Sequence, residues 1–221
     1  PLVSSMRGAT GGQNPFVSAF PLFLFAYLTL LPGVLMAVSL GSMIIGSEGA
    51  SVWYVFSSPI SAKSLVKAKY FSVTLLGFAI TLVCSIIGTF LTSPSIQMVI
   101  IGLTEAILLV FSLGMVSLTY GIRGADFREF PRPRMIRPLW SFVNGMVCLV
   151  LGLTILSPII PYGLKIVFEA VQVSTQIPIS LPEPYPYIAL PLSAAIAAIV
   201  TYIFHRIAVK NAEELLLKAE M

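Results

Sequence analysis

"YFSVTLLGFAITLVCSIIGTFLTSPSIQMVIIGLTEAILLVFSLGMVSLTYGI", residues 70–122, carries one charged side chain, Glu105. A helix needs about 20 mostly apolar residues to cross a hydrocarbon layer of about 30 Å, and this run has room for two. The turn signal inside it is Thr92-Ser93-Pro94-Ser95, small polar residues around a proline that has no N–H to give a helix. Two spans follow, about Tyr70–Leu91 and Gln97–Gly121, folded back as an antiparallel hairpin.

The same reading extends in both directions. Residues 8–47, 138–164 and 184–204 also lack Asp, Glu, Lys and Arg. They hold three more spans, about Phe16–Gly46, Leu139–Ile160 and Tyr187–Phe204. The first is overlong and contains Pro21 and Pro32, so it is expected to tilt or kink. The chain is 57% hydrophobic and 10% charged, against about 25% charge in soluble proteins. The expected fold is therefore all-α, an integral membrane bundle of about five transmembrane helices within 16–208. A Gly- and Ser-rich lead, 1–15, precedes it and a cytoplasmic tail, 209–221, follows; HRIAVKNAEELLLKAEM, which includes that tail, is expected to be a charged helix on the inner side. The chain starts at Pro1 with no initiator Met and no signal peptide with a basic leading region, so a preceding segment, cleaved or separate, is expected.

Cations set the expected orientation. With the N-terminus outside, the inner segments carry Lys63, Lys67 and Lys69, then five arginines over 123–137, then Arg206, Lys210 and Lys218. Eleven of the thirteen Lys and Arg thus face inward, leaving Arg7 and Lys165 outside. The net charge of +4 is a topology signal in a plasma-membrane protein, not a nucleic-acid footprint. Between the third and fourth spans, IRGADFREFPRPRMIRP reads as a stiff inner loop. Residues 162–176 place Leu164, Val167, Phe168 and Val171 on one side and Lys165, Glu169, Gln172 and Gln176 on the other. That is an outer amphipathic helix, too short and polar to span.

The inner segment 47–69, SEGASVWYVFSSPISAKSLVKAK, is longer than a turn requires. Residues 48–58 form a short interfacial helix with Val52, Val55 and Phe56 on one side, and Trp53 and Tyr54 suit a headgroup or protein boundary. Pro59 ends it, and Ser61 is placed to cap the next helix. Two readings remain open: a membrane-surface anchor with snorkelling lysines, or a docking site for a soluble partner.

This segment resembles the one after the second span in permeases of the type-2 exporter group of ATP-binding-cassette (ABC) transporters. The matching elements are Glu48-Gly49, the Ser57-Ser58-Pro59 break and the Lys63, Lys67, Lys69 approach to the next span. The order of spans is similar too, apart from a first span and its connecting helix. The resemblance implies that 48–59 is an inner coupling helix seated on a separate ATPase, with Glu48, Trp53, Phe56, Pro59 and Lys63 as coupling residues. It implies as partners an ABC ATPase subunit and a second permease chain, alike or different. No GxxxxGK[ST] phosphate loop occurs here, so ATP hydrolysis would belong to another chain. The function expected is that of an exporter permease. The alternative is a non-transporting accessory subunit of a larger membrane complex. No enzyme activity of its own and no cofactor are expected.

Glu105 is the one acid deep in a span. A buried carboxylate there costs several kcal/mol unless neutral, paired or wet, so it faces the interior. It either lines a substrate path or proton site, or is a neutral acid bonded to Ser or Thr nearby. Asn144 is a second polar group in a span, able to help line a cavity or to make a local hydrogen bond. His205, alone at a span end, reads as a boundary residue, and Cys84 and Cys148 as small packing residues. Ser193/Ala197 and Ala194/Ala198 allow close helix approach, within the chain rather than between copies.

Overall fold

The computed structural model describes residues 15–46, 60–125, 138–165 and 186–219. Within them are five long helices: α1 (Pro15–Met43), α2 (Ala62–Thr92), α3 (Ile96–Gly124), α4 (Pro138–Leu156) and α5 (Pro186–Ala219). All five are long and apolar enough to cross a membrane. The chain is an all-α, multi-pass membrane protein.

The hairpin closes as its sequence suggests. Ser93 takes a left-handed backbone (φ 48°) and its N–H reaches back to the Thr89 carbonyl, which ends α2. Ser95 then caps α3 by accepting from the Met98 N–H at 3.4 Å. At the other end Ser61 caps α2 through the Ser64 N–H. That start lies eight residues before Tyr70, because the lysine-bearing approach is itself helical. At 1.5 Å per residue α2 is about 46 Å long, so its Lys63 end extends past a hydrocarbon layer of about 30 Å.

Two boundaries differ from expectation. α4 stops at Leu156, where a turn over 157–159 precedes further helix at 160–165. Pro158 and Pro161 lack the N–H that a continuous helix would need there. The expected amphipathic helix 162–176 overlaps this piece only at 162–165, and its remainder lies outside the described residues. α5, by contrast, runs unbroken through the expected boundary at 208 to Ala219. No glycine or proline interrupts the sequence past Pro191, so the tail continues the span as one helix.

Contacts fix the directions. A Cβ on Gly33 would lie 2.6 Å from the Gly77 carbonyl oxygen, while Gly88 faces Leu28 and Phe25, so α1 and α2 run antiparallel. Gly102 faces Phe25 and Thr29 while Gly41 faces Ser117 and Leu118, so α1 and α3 run parallel. The Thr119 hydroxyl donates to the Phe204 carbonyl at 3.1 Å, and the Ser193 hydroxyl to the Ile155 carbonyl at 2.9 Å. α3 is the central pillar: 50% of its membrane window is buried, against 17% for α4 and for α5. α4 turns Leu139, Phe142, Met146, Leu149 and Leu153 outward at three- to four-residue spacing, a face suited to lipid.

Small residues make the α1–α3 approach possible. Gly114, Ser117 and Gly121 lie on one face of α3, and a Cβ on Gly121 would come 2.5 Å from the Gly41 carbonyl oxygen. In a bilayer, helices associate through this sort of close packing and through interhelical hydrogen bonds. Ser193 and Ala197, expected to serve such packing within the chain, are both buried, with Ala197 against Leu109 and Leu113. Ala198 is exposed.

Candidate functional site

Two regions gather the chemistry-bearing side chains. The first lies at the end of the bundle that carries Lys63, Arg123 and Arg206. There Ile45, at the close of α1, packs in one buried cluster with Ala62 and Val66 of α2, Met115, Leu118 and Ile122 of α3, and Ala208 and Ala212 of α5. Ala62, Leu65 and Val66 point into the bundle, whereas Lys63 and Lys67 are exposed. The first turns of α2 thus form an apolar root with a cationic outer face. Beside it the Arg123 guanidinium lies 4.5 Å from the Trp140 ring centroid, a cation–π contact. Tyr120 packs between Trp140 and Phe204, with ring centroids 6.2 and 6.3 Å away.

Of the five expected coupling residues, Lys63 is where the sequence placed it, exposed on the first turn of α2. Glu48, Trp53, Phe56 and Pro59 lie outside the described residues. Their segment, 47–59, leaves from Ile45 and returns at Ala62, so the chain flanking it on both sides is rooted in the same cluster.

The second region is the polar interior. Glu105 is 1% exposed and Asn144 2%, and the structure does not bring them together. Asn144 of α4 donates to the Ser117 hydroxyl of α3 at 2.9 Å and accepts from the Cys148 thiol at 3.4 Å. The Ser117 hydroxyl in turn donates a hydrogen bond to the Val38 carbonyl of α1. Ser117 is more than three helical turns beyond Glu105, about 18 Å at 1.5 Å per residue. The two expected path residues therefore occupy different depths. An apolar cleft of about 280 Å³ between α2 and α3, lined by Leu82, Ser85, Ile86, Phe90 and Leu103 among others, contains neither.

Near Glu105 the partners are few. Glu105 lies one turn before Leu109, and Ser193 of α5 one turn before Ala197, which shares a buried cluster with Leu109; the Ser193 hydroxyl donates to the Ile155 carbonyl. Neither Glu105 oxygen has a hydrogen-bond partner among the described residues, and neither does the Thr29 hydroxyl, which is fully buried on α1. Sequence reasoning anticipated the burial of Glu105 but not its neighbours. Ser117 carried a signal in its spacing from Gly114 and Gly121. Thr29 carried none, because a hydroxyl in a span ordinarily bonds the carbonyl one turn back, as Thr81 and Thr104 do.

The chain matches no protein-family model, no curated protein and no solved structure.

Proposed function

We propose that this chain is the membrane-spanning permease subunit of an ATP-driven exporter of the ABC type-2 group, working with a separate soluble ATPase. The observation that carries the reading is the common root of segment 47–59. Ile45 before it and Ala62 after it belong to one buried cluster that also includes α3 and α5. A force applied to a surface helix over 48–59 would reach four spans at once, as a coupling element requires. Interiors are close-packed and transmit displacement.

In this reading the end bearing Lys63, Arg123 and Arg206 faces the cytoplasm of a plasma membrane, where the ATPase approaches. Glu48, Trp53, Phe56, Pro59 and Lys63 contact the ATPase. Closure of the ATPase dimer pushes on 48–59 and shifts α1 and α2 against α3, and a second permease chain completes the transporter. ATP chemistry stays with the partner, and this chain converts its motion into a change of access across the bilayer.

Mass spectrometry of what copurifies from native membranes in mild detergent tests the proposal. A stoichiometric ABC ATPase is expected. Recovery with a large membrane enzyme and no ATPase would assign the chain to an accessory role instead.

A further inference from the structure

Glu105 lies one turn before Leu109, which clusters with Ala197 of α5, and one turn past the point where Gly102 packs on Thr29 of α1. It is 1% exposed, with both carboxyl oxygens unpartnered among the described residues. A bare carboxylate so placed is strongly disfavoured. No countercharge comes from the packed helices: α1, α2 after Lys69, α4, and α5 before His205 contain no Lys, Arg or His. The other titratable side chains on those lengths are Tyr27, Tyr70, Cys84, Cys148, Tyr187 and Tyr202, and none hydrogen-bonds the carboxyl.

The polarity of the neighbouring hydroxyl narrows the ligand. A serine hydroxyl has one proton and two lone pairs. The Ser193 proton is committed to the Ile155 carbonyl, so toward Glu105 this hydroxyl has only a lone pair to offer. A bare carboxylate beside it would meet a second acceptor, whereas a hydrogen carried by Glu105 can be donated to that lone pair. The Thr29 hydroxyl of α1, also unpartnered among the described residues, adds a second buried polar group beside Gly102, one turn before Glu105.

We propose that Glu105 is a proton-binding site inside the bundle, closed while α5 lies against α3 and emptied when the two helices part. In the closed arrangement the acid O–H donates to Ser193 Oγ. On opening, water enters and the O–H bond breaks. Its electron pair stays on the carboxylate and the proton leaves on water; closing reverses the step. Because the closed packing favours the proton, acidic conditions favour the closed packing by the same factor. The inference does not depend on an ATPase partner, so it can fail or stand independently of the permease reading.

Infrared spectroscopy of the purified full chain in lipid bilayers tests it. At neutral pH the wild type should show the C=O stretch of a protonated carboxylic acid, and Glu105→Gln should lose it while retaining wild-type helicity. In Ser193→Ala, which removes the acceptor, the pH at which the band disappears should shift from that of wild type. A wild type with only carboxylate stretches at neutral pH would overturn the proposal, as would an acid band that survives Glu105→Gln. A Ser193→Ala titration superimposable on wild type would overturn the pairing. Loss of the band on adding sodium or potassium at fixed pH would assign the site to a metal cation and not to a proton.

Discussion

Asn144 on α4 and Ser117 on α3 share a 2.9 Å hydrogen bond that continues, through the serine proton, to the Val38 carbonyl on α1. Three helices are thereby joined by one buried polar chain, with the Cys148 thiol at its far end. The two links are unequal. Ser117→Ala removes both and leaves the Asn144 amide buried without an acceptor, whereas Asn144→Val leaves the Ser117–Val38 bond intact.

Interhelical hydrogen bonds in membranes average about 0.6 kcal/mol and reach about 1.7, while stranding a buried donor costs about 1–3 kcal/mol. Ser117→Ala is therefore expected to cost about 2 kcal/mol and Asn144→Val about 1. Unfolding in mixed micelles, followed by far-UV circular dichroism, measures both. Equal costs would mean that the chain of bonds does not act as a unit.

Glycines separate into two kinds. Gly33→Ala places a methyl 2.6 Å from the Gly77 carbonyl oxygen and closer still to the Thr81 hydroxyl, so α1 and α2 must move apart. Overpacking of this kind costs about 1–3 kcal/mol. Gly145→Ala meets nothing within 4 Å and should leave stability unchanged or slightly raised. The same unfolding titration distinguishes them, and a neutral Gly33→Ala would contradict the close α1–α2 contact.

Orientation is open to direct test by thiol labelling. Ser95 and Lys63 are exposed at opposite ends of the bundle, whereas Cys148 is buried and Cys84 half-buried within spans. In intact cells a membrane-impermeant maleimide should label Ser95→Cys and spare Lys63→Cys until the membrane is permeabilised. The reverse pattern would turn the bundle over and remove the cytoplasmic face from the proposed docking segment.

Coupling makes its own prediction. Phe56→Asp should abolish stimulation of the partner ATPase while membrane insertion, read by the same labelling, stays intact. Lys63→Glu, which inverts a charge on the exposed face of α2, should weaken stimulation in a salt-dependent way. Stimulation unchanged in both variants would remove the docking role from 47–69.

The spans were legible because each is an apolar run, free of charge except for Glu105, bounded by charged residues or Pro, and the hairpin because Ser93-Pro94-Ser95 combines a stop, a break and a cap. Ser61 was legible as a cap for the same reason. The end of α4 at Leu156 was not, since Leu156 through Ile160 stay free of charge and hydropathy alone does not see that Pro158 and Pro161 lack a donor. The helix after His205 was legible, but its continuity with the span was hidden by the change of composition there, which looks like a boundary although the backbone has no cause to stop. Glu105 announced its burial, but which hydroxyl would lie beside it depends on α5 packing parallel to α3, a relation that no local pattern encodes. Asn144 likewise revealed a need for a partner without revealing Ser117.

The distance along the chain between Glu105 and Ser193 also bears on biogenesis. Synthesis at about 5–20 residues per second separates the two by on the order of ten seconds. During that interval α3 is in the membrane with its acid uncovered on the side that α5 will later occupy. The nascent protein must therefore be sheltered by the insertion machinery, or hold the acid against water at the bilayer surface, until α5 arrives. A chain truncated before Pro186 would keep that face permanently open, and membrane quality control would have a polar mark by which to recognise it.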